Sequence, residues 1–452
     1  MPLAAMAAFA AIAAAGGCGD DDAASPSDDD GSGTVEPDAS GGGPSDAAPE
    51  PDAAPIADAA PDAAVTPTVM ALGAGNNIAC AVLTTGAVRC WGANDVGQVG
   101  MGEATPAKSP ITSPTDVVGL TDALTVDCGT AHCCARTASG GAQCWGLNDA
   151  GSLGANVSQD DLPFRPSPGP ALDLASGSPL DSVAQVAVGG AHVCALQAGQ
   201  VLCWGWNGAG QGGLPLPPDR NAAARPTGIT DVVALSLARV FVAQHSCGIT
   251  TAGAVLCWGF NSDGQLGDGT VVGRSTAVAV TGLVNATAIA TGQAHTCAIA
   301  RDAADPDSGP GVFCWGNSFF GQAGPDAVSP QLTPVRVPGL DGALGIAAGQ
   351  SHTCAVLDGG TARCFGANDA GQLGSGAAGP PSATPLDVVD PTGAGKLTGI
   401  AEMTGGFGDT CARTSDGEVF CWGANFAGQL GQGSTGDPSP LPVAVPVVPA
   451  TP

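Results

Sequence analysis

The chain has 452 residues, 70 of them glycine and 37 proline, with few aromatics; this suits many short strands joined by tight turns and argues against a helical bundle. Acidic residues outnumber basic ones 41 to 13, for a formal net charge of −28, a field that repels nucleic acid. Seventeen cysteines are many for a reducing cytosol and suit an oxidising compartment, subject to what their spacing says about metal or redox chemistry.

Residues 1–17 read as an export signal. Leu3 to Ala15 is apolar and Ala-rich, is too short to span a bilayer as a mature helix, and runs into Ala15, Gly16 and Gly17 before Cys18. Small residues directly ahead of a cysteine resemble the lipobox of bacterial lipoproteins, and the resemblance implies an acylated Cys18 as membrane anchor. The segment departs from an ordinary signal in opening Met-Pro-Leu-Ala-Ala-Met, without Lys or Arg. Residues 18–67 are mostly Asp, Ala, Pro, Gly and Ser and carry too little apolar surface to offset the entropy of ordering, so they are expected to form an extended, disordered stalk. Residues 1–66 hold 13 acidic and no basic residues, which leaves −15 for the rest.

From residue 68 to 452 one motif recurs seven times: Cys90-Trp91-Gly92, Cys144-Trp145-Gly146, Cys203-Trp204-Gly205, Cys257-Trp258-Gly259, Cys314-Trp315-Gly316, Cys364-Phe365-Gly366 and Cys421-Trp422-Gly423. The mean step is about 55 residues, near the period of propeller blades. Gly-Gln-Leu-Gly turns follow, as in Gly264 to Gly267, with Asn94, Asn148, Asn207, Asn261, Asn368 and Asn425 between the two signals. Gly and Asn tolerate positive φ, so these are read as turns set by backbone need.

Ahead of each motif lies another cysteine: Cys80, Cys134, Cys194, Cys247, Cys297, Cys354 and Cys411. Five pairs are separated by ten residues with Gly near the middle, the pattern of a β-hairpin, and the two exceptions change length only in the turn. Opposed residues on antiparallel strands lie within disulfide reach, which predicts seven bridges, Cys80–Cys90 through Cys411–Cys421. Zinc held by paired cysteines is the rival reading, but close Cys-x-x-Cys spacing is absent. Cys128 and Cys133 are left as a candidate extra disulfide. His132, His192, His245, His295 and His352 share one slot, two residues before a repeat's first cysteine. A metal ring is the sharper reading of that slot; one packing or hydrogen-bonding role repeated in every blade is the simpler one.

The first repeat has no Pro-rich strand ahead of it of the kind found at Pro334–Leu340, whereas Pro440 to Pro446 has that pattern with no following repeat to serve. The tail is therefore expected to complete the first blade, in velcro fashion. Gly-x-x-His-x-Cys-Ala followed by Gly-x-Val-x-Cys-Trp-Gly-x-Asn-x-x-Gly-Gln-Leu-Gly resembles the repeat of the regulator of chromosome condensation family over about residues 68–446, which implies an all-β, seven-bladed β-propeller. Cysteines stand here where that family commonly has an apolar residue.

No catalytic constellation, cofactor site or metal site emerges. The leading expectation is a non-enzymatic binding module, exported and lipid-anchored, monomeric, that presents propeller-face loops to a protein or glycan and not to nucleic acid. Guanine-nucleotide exchange is the alternative that the resemblance implies, and a carbohydrate-active enzyme the third class. Gln159 to Pro179, Pro215 to Pro226 and Arg301 to Pro310 are the candidate contact segments.

Overall fold

The computed structural model describes residues 66–103, 109–215, 220–239 and 244–448. Cys18, the export signal and nearly all of the stalk lie outside the described residues. The described chain forms seven four-stranded antiparallel sheets, each drawn from one continuous stretch of sequence. The first blade takes Val69–Gly75, Ile78–Leu83, Val88–Gly92 and Ile111–Asp116 in order; the seventh takes Ile400–Gly405, Asp409–Thr414, Val419–Asn425 and Gly436–Ala444. The first strands of neighbouring blades touch around the ring, including the first against the seventh. This is a seven-bladed β-propeller.

The middle two strands of every blade are the cysteine hairpin. Their register sets Cys80 opposite Cys90 and Cys411 opposite Cys421, and the same holds in the five blades between. Trp91, Trp145, Trp204, Trp258, Trp315 and Trp422 are fully buried between blades, with Phe365 in the sixth. Burying such a ring removes a large apolar area from water, and it is the repeated tryptophan that fills the wedge between diverging sheets.

Velcro closure does not occur. Gly436–Ala444 pairs with Val419–Asn425 in its own blade, and the first blade already owns four strands. The Pro-rich segments belong to the blade before them: Gln331–Arg336 is the fourth strand of the fifth blade, not the lead of the sixth. The first strand of the first blade is the glycine- and alanine-rich Val69–Gly75, just ahead of Cys80. The ring closes by side-to-side packing instead, with Leu72, Ala79 and Trp91 against Leu430, Val445 and Val447. Trp91 Nε1 donates to the Gln429 carbonyl at 2.9 Å, and Arg89 donates to the Val447 carbonyl.

Two of the candidate contact segments are likewise partly strand. Phe164–Pro170 and Arg220–Ala224 are the fourth strands of the second and third blades. Arg301 to Pro310 is a widened hairpin turn that carries a short 3-10 turn at Pro306–Ser308.

Candidate binding face

Antiparallel order sends the turns between first and second strands, and those between third and fourth, to one face of the ring. The histidine slot opens the second strand beneath that face. His192, His245, His295 and His352 are buried, and their Nε2 atoms lie 2.8, 2.8, 2.9 and 2.9 Å from the hydroxyls of Ser246, Thr296, Thr353 and Thr410 in the next blade. Each hydroxyl in turn donates to a glutamine carbonyl, of Gln211, Gln265, Gln322 or Gln372, at 2.8–3.0 Å. A hydroxyl has one proton to give, so here it accepts from the imidazole, and the ring must carry its proton on Nε2. Burial keeps three of these imidazoles neutral: it pushes His192 and His352 down to about 4 and His295 down to about 3. The slot is thus a seam between blades and not a ring of metal ligands. The indole N–H groups of Trp258, Trp315 and Trp422 share the same carbonyls of Gln211, Gln265 and Gln372.

Three consecutive seams depart from this scheme. Between the seventh and first blades the pair is Asp409 and Ala79; both Asp409 oxygens are buried, and burial pushes its carboxyl up to about 8. Between the first and second it is Ile78 and Cys133. The Ile78 side chain has no N–H to offer, and Cys133 is paired with Cys128. Between the second and third it is His132 and Val193, and burial pushes His132 down to about 3. Arg239 of the fourth blade reaches into this weaker sector. It is 1% exposed, donates to the Val188 carbonyl at 3.0 Å and to the Ala74 carbonyl, and pairs with Asp127. One guanidinium thereby joins the first strands of blades one to three to the fourth blade. Burial pushes the Asp127 carboxyl up to about 6, against the pull of Arg239.

The turns that follow the third strands satisfy their own backbones. Asn261 Oδ1 accepts from Leu266 N at 2.9 Å and Gln265 Oε1 from Asp263 N at 2.9 Å, and the equivalent bonds recur in the seventh blade at Asn425 and Gln429. Gly264 and Gly267 adopt φ of +75° and +69°, and a Cβ at Gly267 would strike the Trp315 indole. With the backbone held this way by the Asn and Gln side chains, the two residues between Asn and Gly vary from blade to blade, although Asp263 accepts from Asn317 Nδ2 at 2.8 Å and Asp369 from Gln372 Nε2 at 2.9 Å. The pairs are Asp95 and Val96, Asp149 and Ala150, Gly208 and Ala209, Ser262 and Asp263, and Asp369 and Ala370 in five blades. In the fifth blade, where Ser318 stands in the Asn slot, they are Phe319 and Phe320; in the seventh they are Phe426 and Ala427.

Phe319 and Phe426 are 77% and 62% exposed, and Phe319 meets Phe320 edge to face at 5.0 Å. Phe320, Phe407 and Phe426 border a cavity of about 530 Å³ across blades five to seven, with Ala367, Ala370, Gly408 and Ala424 among its walls and Asp369 at its rim. A second cavity of about 300 Å³, lined by Asp263, Asn317 and Phe319, shares Phe320, Gln350 and Ser351 with it. Among the described residues, neither has a Lys or Arg in its lining. The sequence reading passed over these phenylalanines; the available signal was an aromatic in a turn slot that sister repeats fill with small or acidic residues.

Among the described residues, the one group with metal-compatible spacing is Cys80, Cys128 and Cys133, whose sulfurs are already paired. The seven hairpin pairs have Sγ–Sγ distances of 2.06 to 2.15 Å. Eight such pairs are compatible with an oxidising extracellular environment. Among the described residues no helix is long and apolar enough to cross a membrane.

Comparison with known proteins agrees with this architecture. Models of the regulator of chromosome condensation (RCC1) repeat match residues 85–136, 252–299, 311–356 and 416–451, and a second model of that repeat matches 71–98 and 345–372. The ultraviolet-B receptor UVR8 of Arabidopsis thaliana is 29% identical over 376 residues, 82% of this chain and 80% of that one. The Drosophila melanogaster protein named regulator of chromosome condensation is 29% identical over 382 residues, 80% of this chain and 64% of that one. The structure of Prp20p from Saccharomyces cerevisiae, described with its binding properties to Gsp1p and histones, superposes with a TM-score of 0.63 at 18% identity, over 84% of this chain and 86% of that one.

Proposed function

We propose, from a seven-bladed propeller in which models of the regulator of chromosome condensation repeat match residues 71–136, 252–299, 311–372 and 416–451, that this chain is a non-enzymatic binding head, exported and held at a membrane by a lipid on Cys18, that engages a protein partner through one propeller face. The observation that carries this reading is the pairing of turns whose backbones are held by Asn and Gln side chains with exposed phenylalanines that make none of those bonds. Turn slots freed from structure are where a repeat protein places recognition. Partner binding in Prp20p supports a protein over a glycan as the ligand, by likeness of fold alone.

The export half of the proposal rests on other features. Eight cysteine pairs, each buried and at bonding distance, gain stability from oxidation that a reducing compartment denies. Intact and peptide-level mass spectrometry of the protein from its native host, with and without reduction, is the test. A mature chain beginning at acylated Cys18 with all sixteen remaining cysteines paired is the expected result. An unprocessed chain with free thiols would overturn the export reading.

A further inference from the structure

The cavity shared by blades five to seven has the chemistry of one kind of partner. Its walls at Phe320, Phe407 and Phe426, with an alanine- and glycine-rich lining, offer apolar contact area with little side-chain entropy to lose on binding. Around it the field is negative. Asp369 borders the larger cavity and Asp263 the smaller, and Asp95 and Asp149 occupy the matching turn slots further round the ring.

Among the described residues, no Lys or Arg side chain is left to neutralise them. All eleven described Lys and Arg side chains are engaged internally. Eight form ion pairs, and Arg136, Arg165 and Arg301 donate to backbone carbonyls. With −15 outside the first 66 residues, the head attracts positive partners at long range and repels acidic ones.

We propose that this phenylalanine-lined cavity docks a cationic polypeptide segment bearing an apolar anchor side chain. The anchor enters between Phe320 and Phe426, while flanking Arg or Lys side chains lay their apolar stems on the exposed rings and their charges toward Asp369 and Asp263. A guanidinium over a phenylalanine face adds a cation–π attraction to the carboxylate pairing. The inference rests on the protein-binding reading above and specifies which partner that reading requires.

The test uses the full exported chain and three short synthetic peptides: one alternating Arg with Leu around a single Trp, the same with Glu for Arg, and the same with Ala for Leu and Trp. Fluorescence anisotropy of labelled peptide is read at low and high salt. The Arg/Leu/Trp peptide is expected to bind, with each replacement weakening it about tenfold or more and added salt weakening it further. Phe320→Ser with Phe426→Ser should cost about tenfold or more while the thermal midpoint stays in place, because the turns are held by backbone bonds that those side chains do not make. Asp369→Asn should weaken binding by a smaller factor and flatten the salt dependence. Equal binding of the Glu peptide, or full affinity in the double phenylalanine variant, overturns the proposal.

Photo-crosslinking in the native host separates this inference from the reading beneath it. A crosslinker at Phe319 is expected to capture a basic partner. Capture only from Asp305, in the widened turn on the opposite face, would overturn the docking site and leave protein binding standing. No capture from either position would count against both.

Discussion

Removing Arg239 tests whether one side chain compensates for the sector of the ring that lacks histidine–hydroxyl bonds. Arg239→Leu deletes the Asp127 partner and the donors to the Val188 and Ala74 carbonyls. Breaking a buried ion pair from one side ordinarily costs about 3–5 kcal/mol, chiefly because the stranded charge stays desolvated. The cost should depend on pH. Asp127 already sits raised to about 6 by burial, and loss of the guanidinium removes the cause that opposes that rise. The variant carboxyl then takes up a proton in the folded state at mildly acid pH. A folded pKa above the unfolded one contributes stability at low pH that is lost as pH rises through the folded value. The variant should therefore be strongly destabilised at pH 8 and less so at pH 5, where about 1–2 kcal/mol for the lost hydrogen bonds remains. Arg239→Leu combined with Asp127→Asn removes both charges but keeps only one acceptor oxygen where Asp127 uses two, one for Val188 N and one for Cys128 N, and should recover about 1–2 kcal/mol at pH 8. Urea unfolding with disulfides intact, at both pH values, measures all of this. Equal midpoints for wild type and Arg239→Leu at pH 8, or a double variant no better than the single, would refute the reasoning.

Thr353→Val strands both the His295 Nε2–H and the Gln322 carbonyl and should cost about 2–4 kcal/mol, whereas Trp315→Phe removes one of two donors to Gln265 and should cost about 1 kcal/mol, since Phe365 fills that slot natively; thermal unfolding of the two variants gives the ranking. His132, His192, His295 and His352 are depressed to about 3 or 4, so their contribution is present above pH 6.5 and falls by about 1.4 kcal/mol per pH unit for each imidazole as pH drops toward those values; a midpoint that did not fall below pH 6 would contradict buried neutral histidines. Asp409, raised to about 8, runs the other way and loses its contribution as pH rises through 8, so Asp409→Asn should flatten the alkaline limb of the stability profile. Asp409→His together with Ala79→Thr should install at the closing seam the bond found at four others and raise stability by about 1 kcal/mol, with neither single change sufficient in a thermal-shift comparison.

Blade number, hairpin register and the pairing slots of Cys80 and Cys90 were legible in the chain because they are local: they depend on residues about ten apart, on alternation, and on glycine in a tight turn. The burial of the tryptophans followed from the same repetition. Velcro closure was misread for a reason that repetition itself supplies. A period of about 55 residues sets the spacing of blades but not the phase at which one ends and the next begins, so Gln331–Arg336 reads equally well as the last strand of one repeat or the first of another. Only strand pairing in the folded ring chooses. The same holds for every contact that closes across a seam. His295 and Thr353 are 58 residues apart, and Arg239 and Ala74 are 165 apart. No local pattern links such partners. Their hydrogen bonds exist because the ring bends each blade's second strand against its neighbour. Phe320 and Phe426 belong to the same turn of two different repeats and Phe407 to another turn, and it is the curvature of seven blades that gathers them around one cavity.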